Sequence, residues 1–588
     1  MCGIAGIMTA DGSAPARSAV DAMLLAIAHR GPDGEGRYES NGLALAQKRL
    51  AIIDLATGDQ PLFGPGESAL VANGEIYNYV ELKREFGGAN FTTRSDCELP
   101  LFTYARDGGR FAEALRGMFA IALDDPKAPA LYLSRDPFGI KPLYYVEGTF
   151  GLAFASEPKA LIRAGFAGAD VVAEKAQELF QLQFTTGRQT IFPTVERVLP
   201  GETIAIRKGR IESRTCEAAL PAGPPVHMDE EAALAELDRV LMDSVLVHQR
   251  SDVPYGMFLS GGIDSSALLA CMARLNERPV KAFTAGFPDS GVHDERDHAR
   301  AVAKAAGAEH IEIAVTAEDF WRELPAIVAA MDDPAADYAI VPTYMLARAA
   351  RRSLKVVLCG EGGDELFAGY GRYRSAIRLR WLGGRPMRNK GLLDGTDVLR
   401  EKNAAWRDGI ALAEREAMGG GRTRLQAAQA VDCADWLPHD LLTKLDRCLM
   451  AHGVEGRTPF LDRAVANFAF RLPDNLKIRN GLGKYLLRRW LSRALPESKP
   501  FDPKRGFTVP VAEWMAGRAD RLGPLVARQA GVAELCRPRE VERLFRSLST
   551  SRRAGMACWQ LLFYALWHEI HIAGARSDLP VLETLESR

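Results

Sequence analysis

The second residue is Cys2, with only Met1 before it. Removing Met1 would leave one residue carrying both a thiol and a free α-amino group. Such an amine titrates at about pH 7.7–8.0, so it can accept the proton of its own thiol and create a nucleophile whose base lies on the same residue. Position alone does not separate this from an ordinary buried cysteine. A second group of reactive residues is Ser260-Gly261-Gly262-Ile263-Asp264-Ser265-Ser266. Its glycines let backbone N–H groups approach an anion, its serines add hydroxyl donors, and the helix expected after it points a positive end at the same place. It lacks the Gly-Lys-Ser/Thr of a Walker loop. A third is Gly360-Glu361-Gly362-Gly363-Asp364-Glu365, where acids flank a glycine-rich turn. Asp264 and Asp364 could share a magnesium ion with phosphate oxygens. The plainer reading of Asp364 and Glu365 is a helix cap.

Two kinds of element must hold these groups. Through about residue 210, short β-like runs at 43–47, 69–71, 120–123, 131–134 and 152–155 are separated by Gly, Asn and Asp, with a helix over 19–28. Residues 211–228 contain three prolines and read as a linker. Beyond it strands at 255–259, 280–287, 311–315 and 355–358 alternate with helices at 265–274 and 295–306, after a first helix at 230–248. That alternation indicates a parallel α/β sheet. Helical patterns dominate from about residue 400. Both loops follow a strand, and ligands of open α/β sheets sit beyond the carboxyl ends of strands.

Composition bounds the partners. The chain has 588 residues, 47% apolar and 25% charged, with net charge −1. Its length suggests several domains. Near-neutral charge gives no reason to expect nucleic acid, and no run approaches the roughly 20 apolar residues of a membrane span. The N-terminus does not read as a signal peptide. Nine cysteines occur without a C-x-x-C pair, which fits a reducing cytoplasm.

The blocks beginning at Cys2, His29, Arg49, Asn73, Ser95, Gly117 and Arg135 (CGIAG, HRGPD, RLAIID, NGEIYN, SDCE, GMFA and RDPFG) together resemble class II glutamine amidotransferases. The resemblance implies an N-terminal nucleophile fold, an α+β domain built as an αββα sandwich, over 1–210. Cys2 would attack the amide of glutamine. Asn73 and the backbone of Gly74 would donate to the oxyanion, although Asn-Gly by itself is most often a hairpin turn. Arg49, Ile53, Asn73, Glu75 and Asp96 would bind glutamine, with Arg49 suited to a carboxylate. His29 would order the loop over the site.

The serine-glycine loop resembles that of ATP pyrophosphatases, which adenylate a carboxylate. The resemblance assigns ATP to Leu259, Ser260, Gly261, Gly262, Asp264, Ser265, Ser266, Ala285, Cys359 and Gly360, with Cys359 in place of the usual serine. It assigns Mg²⁺ to Asp264 and Asp364, a base at the acyl-adenylate to Glu361, and a phosphate-facing lysine to Lys484, which could otherwise be an exposed helix lysine. The blocks at 455–462 and 504–507 are expected to shape the acceptor pocket.

Over nearly its whole length the chain resembles the glutamine-hydrolysing asparagine synthetase family. That implies an α/β parallel-sheet ATP-pyrophosphatase domain over 229–588 with a helical C-terminal part, and aspartate, glutamine and ATP as substrates. The segment Asp332-Asp333-Pro334-Ala335-Ala336-Asp337-Tyr338-Ala339-Ile340-Val341-Pro342-Thr343 is similar to that of a longer bacterial branch. That resemblance leaves an alternative open: an amidotransferase acting on another carboxylate, such as a sugar acid, a peptide or a secondary-metabolite substrate. A homodimer is a further possibility. A scaffold that had lost its chemistry would also have lost Cys2, Arg49, Asn73, Asp96, Asp264, Glu361 and Lys484, and a β-lactam synthetase relative would generally lack the cysteine.

Overall fold

In the N-terminal half, apolar residues fill both faces of most strands, so these strands need cover on both sides. The computed structural model describes residues 2–288, 290–292, 294–378, 381, 383–502 and 508–587. The strands are β1 (Gly3–Thr9), β2 (Gly34–Ser40), β3 (Leu43–Arg49), β4 (Leu62–Phe63), β5 (Ala69–Ile76), β6 (Gly117–Asp125), β7 (Ala130–Arg135), β8 (Tyr144–Gly148), β9 (Gly151–Ala155), β10 (Glu196–Arg197), β11 (Glu202–Arg207) and β12 (Arg210–Cys216). They form two six-stranded antiparallel sheets, ordered β10-β8-β9-β1-β3-β2 and β12-β11-β7-β6-β5-β4. In β1, Ile4 and Met8 point between the sheets, where they meet Val71, Ala120 and Leu133. Ala5 and Ile7 point the other way, onto the core that receives Val20, Met23 and Leu24 of helix α1 (Arg17–Ala26). The outer face of the second sheet, including Leu70, Ile121 and Leu123, packs on helix α2 (Leu99–Asp107). This is the expected αββα sandwich.

Two local differences matter. Asn73-Gly74 is not a turn: β5 runs through it, with Asn73 opposite Ala120 and Gly74 opposite Phe119. Only glycine fits at 74, because a Cβ there would lie 2.2 Å from the Met118 carbonyl oxygen. The expected linker over 211–228 begins as strand. Positive φ at Lys208 and Gly209 makes a tight hairpin, and β12 pairs with β11 through Cys216.

Helix α3 (Glu230–His248) opens the second half, capped where the Asp229 side chain accepts from the Ala232 N–H. Strands β13 (Tyr255–Phe258), β14 (Lys281–Gly286), β15 (Glu309–Ala314), β16 (Val356–Leu358) and β17 (Glu455–Arg457) form one sheet ordered β15-β14-β13-β16-β17. Every neighbouring pair in it is parallel. The chain builds outward from β13 in one direction and then returns to add β16 on its other side. Such a reversal opens a crevice at the carboxyl ends of the two central strands. Helices α4 (Ile263–Leu275) and α5 (Ile340–Ala350), then α6 (Leu442–Met450) and α7 (Tyr485–Ala494), surround the sheet. Helix α8 (Arg552–His571) follows in the helical C-terminal part, with Trp559 and Trp567 fully buried. Among the described residues no helix is long and apolar enough to cross a membrane.

Leu133 is fully buried between the N-terminal sheets. Leu133→Ala should cost about 2–5 kcal/mol, as deletion of a buried leucine side chain does. Urea unfolding followed by circular dichroism measures it, and a cost below about 1 kcal/mol would show that the sheets share no close-packed core there.

Candidate functional sites

Register places Cys2. Gly3 pairs with Lys48, which sets Cys2 beside Arg49 at the end of β3. Across the sandwich the Cys2 backbone N donates to Asn73 Oδ1 at 3.1 Å. Among the described residues the buried Asn73 Nδ2 has no hydrogen-bond partner, so it is available to a ligand oxygen. Burial pushes the Cys2 thiol pKa up, against the opposing pull of the N-terminal amine, the Leu50 backbone and Arg49. The thiol therefore stays protonated until a base takes its proton.

The Arg49 guanidinium is held by Asp59 Oδ1 (2.6 Å), the Asp54 carbonyl (2.6 Å) and, more loosely, the Ile53 carbonyl (3.5 Å). Asp59 is 79% exposed, so a substrate carboxylate can displace it. Asp96 is buried and accepts from the Ile76 N–H at 2.6 Å; burial raises its pKa against that bond. Glu75 faces the other half of the molecule, with Oε2 3.3 Å from Arg457 Nη2. Burial, then Asp96 and Glu455, drive its pKa well above the ordinary range. His29 bonds Glu157 (3.1 Å), as a loop-ordering residue would.

The second site lies at the crevice. Leu259 N donates to the Phe283 carbonyl (2.8 Å), carrying the chain into the loop 260–266. Gly261 has φ +70°, Gly262 N donates to Ser260 Oγ (3.2 Å), and the buried Ser266 Oγ has no hydrogen-bond partner among the described residues. The loop after β16 lies against it: a Cβ on Gly363 would come within 2.4 Å of Asp264 Oδ1. Asp264 and Asp364 converge on Lys484 Nζ, with the Asp364 contact at 2.6 Å. Lys484 is not an exposed helix lysine, since its side chain is 2% exposed. Burial opposes its charge, but the two aspartates hold its pKa above the ordinary value.

A cavity of about 300 Å³ opens here. Leu259, Ser260, Gly262, Asp264, Ser265, Ala285, Cys359, Gly360, Glu361 and Asp364 all line it; Gly261, Ser266 and Lys484 are not among its lining residues. Cys359 turns its thiol toward the Val357 carbonyl (3.9 Å). Burial raises the Glu361 pKa against Lys444. Ala339 and Thr343 also line it, from the segment 332–343, the acceptor segment.

Other residues were not legible as site residues. Lys444 on α6 lines the cavity and pairs with Asp337 at 3.1 Å. Tyr370 also lines it and donates to Glu365 at 2.7 Å, so Glu365 is a cavity residue and not simply a cap. The available signal was charge inside a buried helix: Lys444, Asp446 and Arg447 lie among Leu442, Leu445 and Leu449, and buried charges need partners. The 455–462 block does not line the cavity. Arg457 instead donates to Glu455 (2.5 Å) and to the carbonyls of His248 (2.8 Å) and Arg250 (2.7 Å), because β17 is the sheet edge facing the N-terminal half. The 504–507 block lies outside the described residues.

Residues 1–216 match the family model for a glutamine amidotransferase domain, and residues 236–569 match that for asparagine synthase. This chain belongs to the asparagine synthase family. Asparagine synthetase (glutamine-hydrolysing) 1 of Bacillus subtilis is 34% identical, with 97% of each chain covered. A putative asparagine synthetase (glutamine-hydrolysing) of Mycobacterium tuberculosis is 36% identical over 97% of each. Asparagine synthetase B (glutamine-hydrolysing) of Escherichia coli is 30% identical over 86% of this chain and 81% of its own.

Glu365 gives a pH test of the cavity. Burial, and secondly Asp364, push its carboxyl up to about 7. A carboxyl whose folded pKa is raised contributes stability that is complete below the unfolded value and is lost as pH rises through the folded one. Glu365→Gln should therefore remove a loss of stability between about pH 4.5 and 7, worth roughly 3 kcal/mol across that window. Urea midpoints at pH 5 and pH 8 for both proteins measure this; parallel profiles would contradict it.

Proposed function

We propose that the chain is a glutamine-hydrolysing asparagine synthetase that joins ammonia from glutamine to aspartate at the expense of ATP. One observation carries the reading: the groups needed for both half-reactions gather into two separate sites of one chain. The relatives' names support it. In this reading the first half, through the end of β12 at Cys216, hydrolyses glutamine, 217–228 link, and 229–588 form the amide. The substrates are small molecules, with no part for nucleic acid or membrane, in the cytoplasm and in a chain that can pair as a homodimer.

With Met1 removed, the Cys2 amine is held by Asn73 Oδ1 and takes the thiol proton. The sulfur attacks the glutamine amide carbon. Asn73 Nδ2 and the Gly74 N–H meet the oxyanion, and loss of such a donor costs about 10²–10³ in rate. Collapse expels ammonia, which leaves with the proton held by the amine. Water then splits the thioester to glutamate. Arg49 exchanges Asp59 for the substrate α-carboxylate, Asp96 and Glu75 meet its ammonium, and Ile53 closes the pocket.

In the second site the ATP phosphates lie on Ser260, Gly261, Gly262, Ser265 and Ser266, and adenosine on Leu259, Ala285, Cys359 and Gly360. The acceptor carboxylate attacks the α-phosphorus, and pyrophosphate leaves against Lys484. Ammonia attacks the acyl carbon, AMP leaves, and Glu361 takes the proton shed by nitrogen; its raised pKa makes it a better base. The Asp264 and Asp364 carboxylates, which meet at Lys484 beside the phosphate loop, would hold Mg²⁺ together with phosphate oxygens, since magnesium takes a few carboxylates plus phosphate oxygens. When bound, it would neutralise phosphate charge.

Cys2→Ala should abolish product made from glutamine and spare product made from ammonium. Asp264→Asn should abolish product made from either nitrogen source while leaving glutamine hydrolysis measurable. Loss of both activities in Cys2→Ala would overturn the two-site reading. Pyrophosphate release with ammonium, ATP and a panel of carboxylates tests the acceptor; aspartate should be the best substrate, and a sugar acid or peptide in its place would reassign it.

A further inference from the structure

Arg30 is fully buried at the seam between the two halves. Its Nε donates to the Cys2 carbonyl (3.1 Å). Its other nitrogens grip Asp446 at both oxygens (2.7 and 2.9 Å), and Nη1 also reaches Glu157 (2.8 Å). One guanidinium thus joins the backbone of the N-terminal nucleophile to helix α6. Lys444 lies two residues earlier on that helix and lines the nucleotide cavity. Residues two apart on a helix project roughly 200° from each other. The helix therefore presents Lys444 to the cavity and Asp446 to the amidotransferase half.

The surroundings are built to transmit a shift and not to absorb it. Arg447 donates to Asp332 (2.7 Å), and Arg197 of the N-terminal half forks onto Asp333 (2.8 and 2.7 Å). The acceptor segment is thus anchored on both sides. Lys444 has a partner it can exchange: Asp337 in this structure, or an anionic group of a bound substrate. A fork fixed at both carboxylate oxygens moves with its carboxylate.

We propose that Arg30 and Asp446 are positioning residues that tie the Cys2 backbone to the occupancy of the amide-forming cavity, so that glutamine is hydrolysed in step with amide formation. The inference rests on the two-site reading above. It predicts a division of effects that a merely structural ion pair would not give.

The test uses the full chain and three rates: glutamate formed, amide product formed from glutamine, and amide product formed from ammonium. Asp446→Asn keeps the shape and removes the charge. Arg30→Lys keeps the charge and removes the fork. In each, glutamate released per amide product should rise about fivefold or more, in the range of ordinary coupling between sites, while synthesis from ammonium stays at the parental rate. An unchanged ratio would overturn the inference. So would a fall of ammonium-supported synthesis in proportion to glutamine-supported synthesis. If Asp446→Asn fails to fold, Arg30→Lys decides the matter alone. A parent chain that makes no product from either nitrogen source would instead overturn the two-site reading.

Discussion

The arrangement depends on arginines buried at the seam between the two halves. Arg30, Arg197 and Arg457 are almost wholly removed from water. Desolvating a guanidinium costs several kcal/mol, recovered only when its N–H groups meet well-placed acceptors. Arg30 finds Asp446, Glu157 and the Cys2 carbonyl; Arg197 finds Asp333 and Thr185; Arg457 finds Glu455 and the carbonyls of His248, at the end of α3, and Arg250, just beyond it. Such pairs add little net stability compared with apolar packing, yet they are costly to break. They fix how the halves meet, and so where each site lies relative to the other.

The two sites share an electrostatic character. Glu75 and Asp96 near Cys2, and Glu361 and Glu365 at the cavity, are buried acids whose pKa values are raised chiefly by loss of water. Cations stand near without cancelling that effect: Arg457 beside Glu75, Lys444 beside Glu361. Acids in such surroundings hold protons more readily than surface carboxylates do, which suits one site that releases ammonia and another that consumes it.

Much of this was legible in the sequence. Helix α3 falls on its expected residues, and the core strands lie where short apolar runs placed them, because strands buried on both faces read as continuous apolar runs. The two loops were legible because glycines beside serines or acids at fixed spacing after a strand have few other uses. Asn73-Gly74 could mislead, since a strand interior in which only glycine fits looks like a turn until β6 is seen against it. Arg457, Lys444 and Asp446 were not legible as partners of distant groups. Their partners lie up to several hundred residues away in the chain, and pairing at that range leaves no local pattern. The last strand of the first half runs past residue 210, because a two-residue hairpin at Lys208 and Gly209 lets it continue toward the proline-bearing stretch.

The anchoring of the acceptor segment has a consequence for descent. Asp333 belongs to one half and its fork, Arg197, to the other. A chimera joining the first half of one relative to the second half of another would keep every reactive group and still bury a charge without its counterion wherever the two parents differ at such a pair. Changes at the seam are therefore tolerated best in matched sets, even where neither site is touched.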